Sequence, residues 1–172
     1  MPRIAADVRH VARPPRPSPF VDGAAVSVGG LPHRDAVAAA AFSIAEFDIA
    51  TVPSLPQRSA AESMVAQALS GVPGVAIDPD GGIRIDARLV DPEHPVTTDL
   101  LDDAFVGASA FLDLARTVNL DGAPVKWQVV GPVTLGVELH RAGLDRATAF
   151  RLAANAVNSR ITDLTAAVSA SL

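Results

Sequence analysis

Val125-Lys126-Trp127-Gln128-Val129-Val130-Gly131-Pro132-Val133-Thr134-Leu135 reads as a short buried strand that stops at Gly131-Pro132 and turns into a helix. Pro132 has no N–H and a fixed φ, so a strand cannot continue through it. Gly131 lets the backbone bend or another group come close. Two other stretches follow the same plan. One is Ala24-Ala25-Val26-Ser27-Val28-Gly29-Gly30-Leu31-Pro32-His33, the other Ile49-Ala50-Thr51-Val52-Pro53-Ser54-Leu55-Pro56. Strand, Gly/Pro loop, then helix is the repeating unit. In α/β proteins the carboxyl ends of such strands are where ligands sit.

Periodicity supplies the elements between these strands. Val37, Ala40, Ala41 and Ile44 give a helix face over residues 34–47. Ser59-Ala60-Ala61-Glu62 has the spacing of a capping box and opens a helix carrying Met64, Val65, Ala68 and Leu69, which Gly71 and Pro73 stop. Val75/Ile77 and Ile83/Ile85 alternate around Asp78-Pro79-Asp80-Gly81-Gly82, a hairpin signal and an excursion from a plain β/α repeat. Residues 100–118 read as a helix with Leu101, Phe105, Ala108, Leu112 and Ala115 on one face. Residues 135–141 form a short helix. Asp145 can cap the last one, striped by Phe150, Ala153, Val157, Ile161, Leu164 and Val168.

Composition narrows the function classes. Across 172 residues, 49% are hydrophobic and 19% charged, which suits one domain with a packed core rather than a disordered chain. A net charge of −5 with no basic stripe argues against nucleic acid as a partner. There is no cysteine, hence no disulfide and no thiolate ligand or nucleophile in these residues. No apolar run is long enough to span a bilayer. Residues 1–23 mix arginine with proline and are expected to be a flexible leader, with 24–172 as the domain. No apolar signal segment follows the leader, so the expected location is the cytoplasm.

Several side chains invite a functional reading, each with a plainer one beside it. His33, after a strand end, is a substrate or anion contact or else a solvated loop histidine. The N–H groups after Gly29 and Gly30 can hold a carboxylate, or the glycines merely permit a tight turn. Arg58 can clamp a carboxylate in a bidentate contact, or lie on the surface. Glu62 fits a capping role better than an acid–base one. Lys126 and Gln128 share one side of a strand. They mark a polar network or ligand if that side faces inward, whereas in the opposite register Lys126 snorkels. Trp127 then packs against helices. Asp78, Asp80 and Asp86 lack EF-hand spacing, and His10, His94 and His140 form no metal pattern.

The order of these motifs resembles a known family. Val28-Gly29-Gly30-Leu31-Pro32-His33 is similar to the Ile-Gly-Ser-Phe-Pro stretch on the first strand of the catalytic barrel of cobalamin-independent methionine synthase. Residues 126–135 resemble its Lys-Gly-x-x-Thr-Gly-Pro-Val-Thr segment. Pro53 to Met64 resembles the short, single-barrel, methionine-synthase-like proteins of that superfamily. Uroporphyrinogen decarboxylase shares the barrel, but its arginine-rich amino-terminal signature is not evident here. The resemblance implies an α/β fold that is the opening part of a (β/α)8 TIM barrel, with the hairpin as an excursion. It implies methyl transfer from a folate to a thiol such as homocysteine, with zinc activating the thiolate. The family's His, Cys and Glu zinc ligands lie on later strands and are not expected within these residues. Gly30 stands where the family has the Ser that contacts the amino-acid substrate, and Val130 stands where it has Thr. Substrate contacts are expected at Gly29, Gly30, His33, Arg58, Gln128, Gly131 and Thr134. The alternative from another class is a non-catalytic half-barrel that self-associates, or binds a partner, through open strand edges.

Overall fold

A computed structural model describes residues 23–120 and 122–171, and the expected leader lies almost wholly outside them. The architecture is mixed α/β. In chain order the elements are α1 (Ala36–Glu46), β1 (Ala50–Thr51), α2 (Met64–Leu69), β2 (Val75–Ile77), β3 (Ile83–Ile85), α3 (Val106–Val118), β4 (Val125–Lys126), α4 (Pro132–Arg141) and α5 (Arg146–Ser171). Among the described residues the strands form two two-stranded sheets, and no barrel closes.

The three strand-then-loop stretches run parallel. β1 pairs with β4 in parallel, Ala50 opposite Val125 and Thr51 opposite Lys126. On its other side the β1 stretch meets residues 24–30 only at two isolated parallel bridges, Val26 to Ile49 and Gly30 to Ser54. Four residues separate the bridge positions on one strand and five on the other, so the 49–54 stretch carries one extra residue, a bulge. That is why the expected strand at 24–28 does not appear as a ladder. The backbone groups freed by the bulge still need partners. Ser43 of α1 supplies them: its hydroxyl accepts from Thr51 N–H at 3.0 Å and donates to Thr51 C=O. From β4, Lys126 Nζ donates to the carbonyls of Ser27 (2.6 Å) and Val28 (3.2 Å).

Helix faces follow from these ties. α1 buries Ala39, Ala40, Ser43 and Ile44, while Val37 is 64% exposed. The expected face is rotated because Ser43, polar in the sequence, is drawn inward by Thr51. α1 packs on α3 through small residues, Ala40 against the cluster of Ala104, Phe105, Ala108 and Leu112. Leu101, expected in that stripe, is 90% exposed, since the chain makes a 3₁₀ turn at Asp103–Phe105 before α3 begins. Trp127 packs with the same helices, as its strand side requires. The hairpin forms as expected, Val75 opposite Ile85 and Ile77 opposite Ile83, in a sheet of its own. α4 starts at Pro132, earlier than expected, because proline is well suited to the first helical position. Asp145 caps α5 through Thr148 N–H at 3.1 Å. Along α5 the buried stripe passes through Arg160, and the expected Ile161 is 46% exposed.

Ser43→Ala leaves the Thr51 N–H and C=O buried without partners. We expect a loss of about 2–3 kcal/mol in unfolding free energy, read by denaturant titration.

Candidate functional site

Parallel pairing places the segments after neighbouring strands at one end of the sheet. These are residues 29–33 and 53–59, and residues 131–134 follow beyond β4 at the start of α4. Gly29 is buried with φ +118°, a backbone state that favours glycine, and a Cβ there would lie 3.6 Å from Gln128 Cβ and from Thr51 Cγ2. Gly30 is exposed, with room for a side chain near Ser54 Oγ, 3.9 Å away. The N–H after Gly30 does not wait for a ligand: Leu31 N–H donates to Ser54 C=O at 2.9 Å. The amino end of α1 already holds a carboxylate, because Asp35 accepts from Ala38 N–H at 2.9 Å. His33 folds against Phe42, ring centroids 5.1 Å apart, and Phe42 meets Phe47 edge-on. Its ring therefore joins an aromatic cluster on α1, and its buried Nδ1 has no hydrogen-bond partner.

The 53–59 segment is fixed from beneath by Glu62. The expected capping box does not form. Ser59 instead caps a 3₁₀ turn at Ala60–Glu62 through Ala61 N–H, and Ser63 caps α2 through Ala66 N–H. Glu62 turns inward and is fully buried. Its Oε2 accepts from Leu55 N–H (3.0 Å) and Gly107 N–H (3.3 Å), and its Oε1 from Arg58 Nε (2.5 Å). Any side chain at position 107 would collide with this carboxylate, since a Cβ there would lie 2.8 Å from Oε2. Burial raises the Glu62 carboxyl above its ordinary range, and the Arg58 guanidinium and the two backbone N–H groups pull against it.

Arg58 is engaged rather than free. Its Nη2 donates to Asp103 C=O (2.6 Å) and to Asp103 Oδ1 (2.7 Å), and Ser59 Oγ donates to Asp103 Oδ2 at 2.5 Å. The hydrogen bond from Ser59, then that from Arg58, holds the Asp103 carboxyl below its usual value. Arg58 also lines an open cleft of about 600 Å³ between residues 56–61 and the hairpin tip at 77–80.

Gln128 and Lys126 do share a side, with Nζ 3.4 Å from Gln128 Oε1. Lys126 neither snorkels nor waits for a ligand: its three acceptors belong to the chain itself. Gly131 is the N-cap of α4 with no side-chain bond to the first turn, and Thr134 is exposed on that turn. The structure thus brings Gly29 and Gln128 together, whereas the strand expected over Lys126–Val130 stops at Lys126, and Gly131 and Thr134 follow beyond it on α4. It turns His33 aside and ties Arg58 down.

Three buried polar residues escaped the sequence reading: Ser43, Gln67 and Arg160. Gln67 Nε2 donates to Ala104 C=O at 2.8 Å. A polar residue inside an apolar helical stripe, such as Arg160 between Val157 and Leu164, is the signal that could have found them. Among the described residues no three His, Asp or Glu side chains converge as a metal site. These residues do not fit the zinc of the resemblance. No helix among the described residues is long and apolar enough to cross a membrane. No family model, curated protein or solved structure matches the chain.

Glu62→Gln keeps the shape but sets an amide NH₂ against Arg58. We expect a loss of about 2–3 kcal/mol near neutral pH. The pH dependence has a definite sign. With its carboxyl raised in the fold, Glu62 makes the native state take up protons more readily than the unfolded chain. Stability therefore falls as pH rises from the unfolded value, about 4.3, through the raised folded value. The gap between wild type and Glu62→Gln should be wider at pH 5 than at pH 8 in paired urea titrations. The comparison stays at pH 5 and above, where Asp103, its carboxyl held below the usual value, remains ionised in the fold. A gap independent of pH would contradict the burial argument.

Proposed function

We propose that this chain is the opening β/α portion of a barrel of the cobalamin-independent methionine synthase-like class. In this reading it supplies the substrate rim for methyl transfer from a folate to a thiol such as homocysteine. The observation that carries the reading is the parallel register. Gly29–Leu31 and the 53–59 segment follow neighbouring parallel strands, and in this reading Gly131–Thr134, beyond β4, joins them at the end where barrel enzymes bind substrates. The hairpin and α2 fall between β1 and α3, and α3 is the helix that packs beside α1. They read as an insertion into one βα loop of an otherwise regular barrel. Within the rim, the exposed first turn of α4 orients N–H groups toward an anionic group of the substrate, with Thr134 beside it. Gln128 offers an amide at the sheet's inner side. Zinc, when supplied by the family's later strands, would lower the thiol's pKa. No ligand for it is placed on these residues.

A second reading is favoured by a separate observation. Val26 and Val28 are 47% and 68% exposed on an edge stretch whose described backbone partners are residues 48–54 and the Lys126 side chain. Open edges of this kind pair with other chains, and a non-catalytic half-barrel would associate through them.

Two measurements separate the readings. Calorimetric titration with homocysteine and with methyltetrahydrofolate should give binding that Thr134→Val and Gln128→Ala weaken by about tenfold or less, as expected for a lost hydrogen bond. Methyl transfer with zinc added should be undetectable for this chain alone. Absence of binding to either ligand, together with a dimer that Val28→Lys dissociates in light scattering, would replace the first reading with the second.

A further inference from the structure

The negative charge of the chain is unevenly spread. Eight of its nineteen acidic residues lie between 78 and 103, against two arginines there, Arg84 and Arg88. Three of those carboxylates, Asp78, Asp80 and Asp103, line the open cleft of about 600 Å³ between residues 56–61 and the hairpin tip. A cleft with an excess of one charge concentrates the other. The cations already present do not use it up. Arg84 Nε meets Asp78 Oδ1 at 2.5 Å, and Arg58 reaches Asp103 but is shared with the buried Glu62. Asp80 is exposed and pairs with no described cation, its Oδ1 accepting from Gly82 N–H at 3.3 Å. An ionised carboxylate has about four acceptor sites, so each of the three can take a further donor. Pro56, Ala60, Ile77 and Pro79 supply apolar wall beside them.

The complementary chemistry is in the chain itself. Residues 8–21 carry Arg9, Arg13 and Arg16 and no acidic residue. Arg13-Pro14-Pro15-Arg16-Pro17-Ser18-Pro19 sets two arginines three apart, the repeat of a polyproline II helix. Proline-rich segments suit grooves because they have little conformational freedom left to lose. Guanidinium and carboxylate form strong bidentate pairs. These residues lie outside the described ones, and the tether is long enough to reach. Arg16 and Arg9 precede Gly23 by 7 and 14 residues, about 25–50 Å of extended chain. A domain of this size has a radius of gyration of about 15 Å. A tethered segment has an effective concentration on the order of millimolar, so weak contacts suffice. We propose that residues 9–19 dock in this cleft, with Arg13 and Arg16 paired to Asp80 and the carboxylates beside it. The segment is then an intramolecular cover over residues 56–61 and the hairpin tip, which any other occupant of the cleft must displace. Docking needs none of the methyl-transfer chemistry and stands or falls apart from it.

The chain has no cysteine, so Ser18→Cys gives one attachment point for a nitroxide. Amide spectra of the labelled full chain are recorded at low salt, with the nitroxide oxidised and then reduced. The oxidised label should cause a selective loss of the Gln57, Ala60 and Asp80 signals. Salt at about 1 M, which shortens the screening length to about 3 Å, should restore them. Asp80→Asn, which keeps an acceptor for Gly82 N–H, should weaken the loss at Gln57 and Ala60. Arg13→Glu combined with Arg16→Glu, outside the described domain, should abolish it and leave the other amide signals in place. Signal loss spread evenly over the surface, or no loss in the cleft at low salt, overturns the proposal. A mixture of labelled chain with isotope-enriched, unlabelled chain identifies the copy that docks. Loss of the cleft signals in that mixture assigns the occupant to a second copy and overturns intramolecular docking.

Discussion

The parallel register of three strands depends on how one gap is filled. The 49–54 stretch has one residue too many for its neighbour, so the ladder between them opens at Thr51. Unpaired backbone groups inside a protein cost about 1–3 kcal/mol each. Ser43 reaches in from α1 and Lys126 reaches across from β4, and between them they satisfy Thr51, Ser27 and Val28. The Lys126 plug is not local, lying 99 residues from Ser27 in the chain, whereas Ser43 is 8 residues from Thr51. Once the gap is filled, the parallel strands lie in register.

The rim itself rests on a buried carboxylate. Glu62 replaces a capping role with a tertiary one, holding Leu55 and Gly107 together and carrying Arg58. Gly107 makes this possible by having no side chain where the carboxylate must pass. Arg58 then meets Asp103, so the 53–59 segment is fastened to the entry of α3 by charge-assisted bonds. Arg58 is thereby held in a set geometry, with its hydrogen bonding spent on Glu62 and Asp103. The hairpin tip, held apart by its own sheet, faces this rigid segment across an open cleft. Rigid support beneath a loop is what allows a loop to present groups precisely.

Arg160 has a corresponding part, reaching from α5. It ties α5 to the end of α2 and to the loop before α3 through Ser70, Thr97 and Thr98. The apolar cluster around it is built from α4 and α5, with Leu135, Leu139, Leu152 and Ala153 fully buried. The rim loops are thus backed by two packed clusters, one between α1 and α3 and one between α4 and α5. The chemistry-bearing segments contribute little to either.

Much of the local structure was legible in the residues alone. Apolar spacing marked the helices, Asp78 to Gly82 marked the hairpin turn, and Asp145 marked a cap, but the strand expected to run to Gly131-Pro132 stops at Lys126. Each of the three signals is a short-range effect, set by sterics and hydrogen bonds within a few residues. The partners of the polar side chains were not legible. Glu62 looked like a cap, Arg58 like a clamp or a surface arginine, His33 like a rim contact or a solvated loop residue, and Arg160 drew no reading. Several of the partners that fix Glu62, Arg58 and Arg160 lie tens of residues away, and no periodicity records such distances. The sequence by itself marked the principal helices and the hairpin turn. Only the tertiary structure decided which charges are buried and what they hold, because burying a charge is tolerable only where distant chain segments converge to satisfy it.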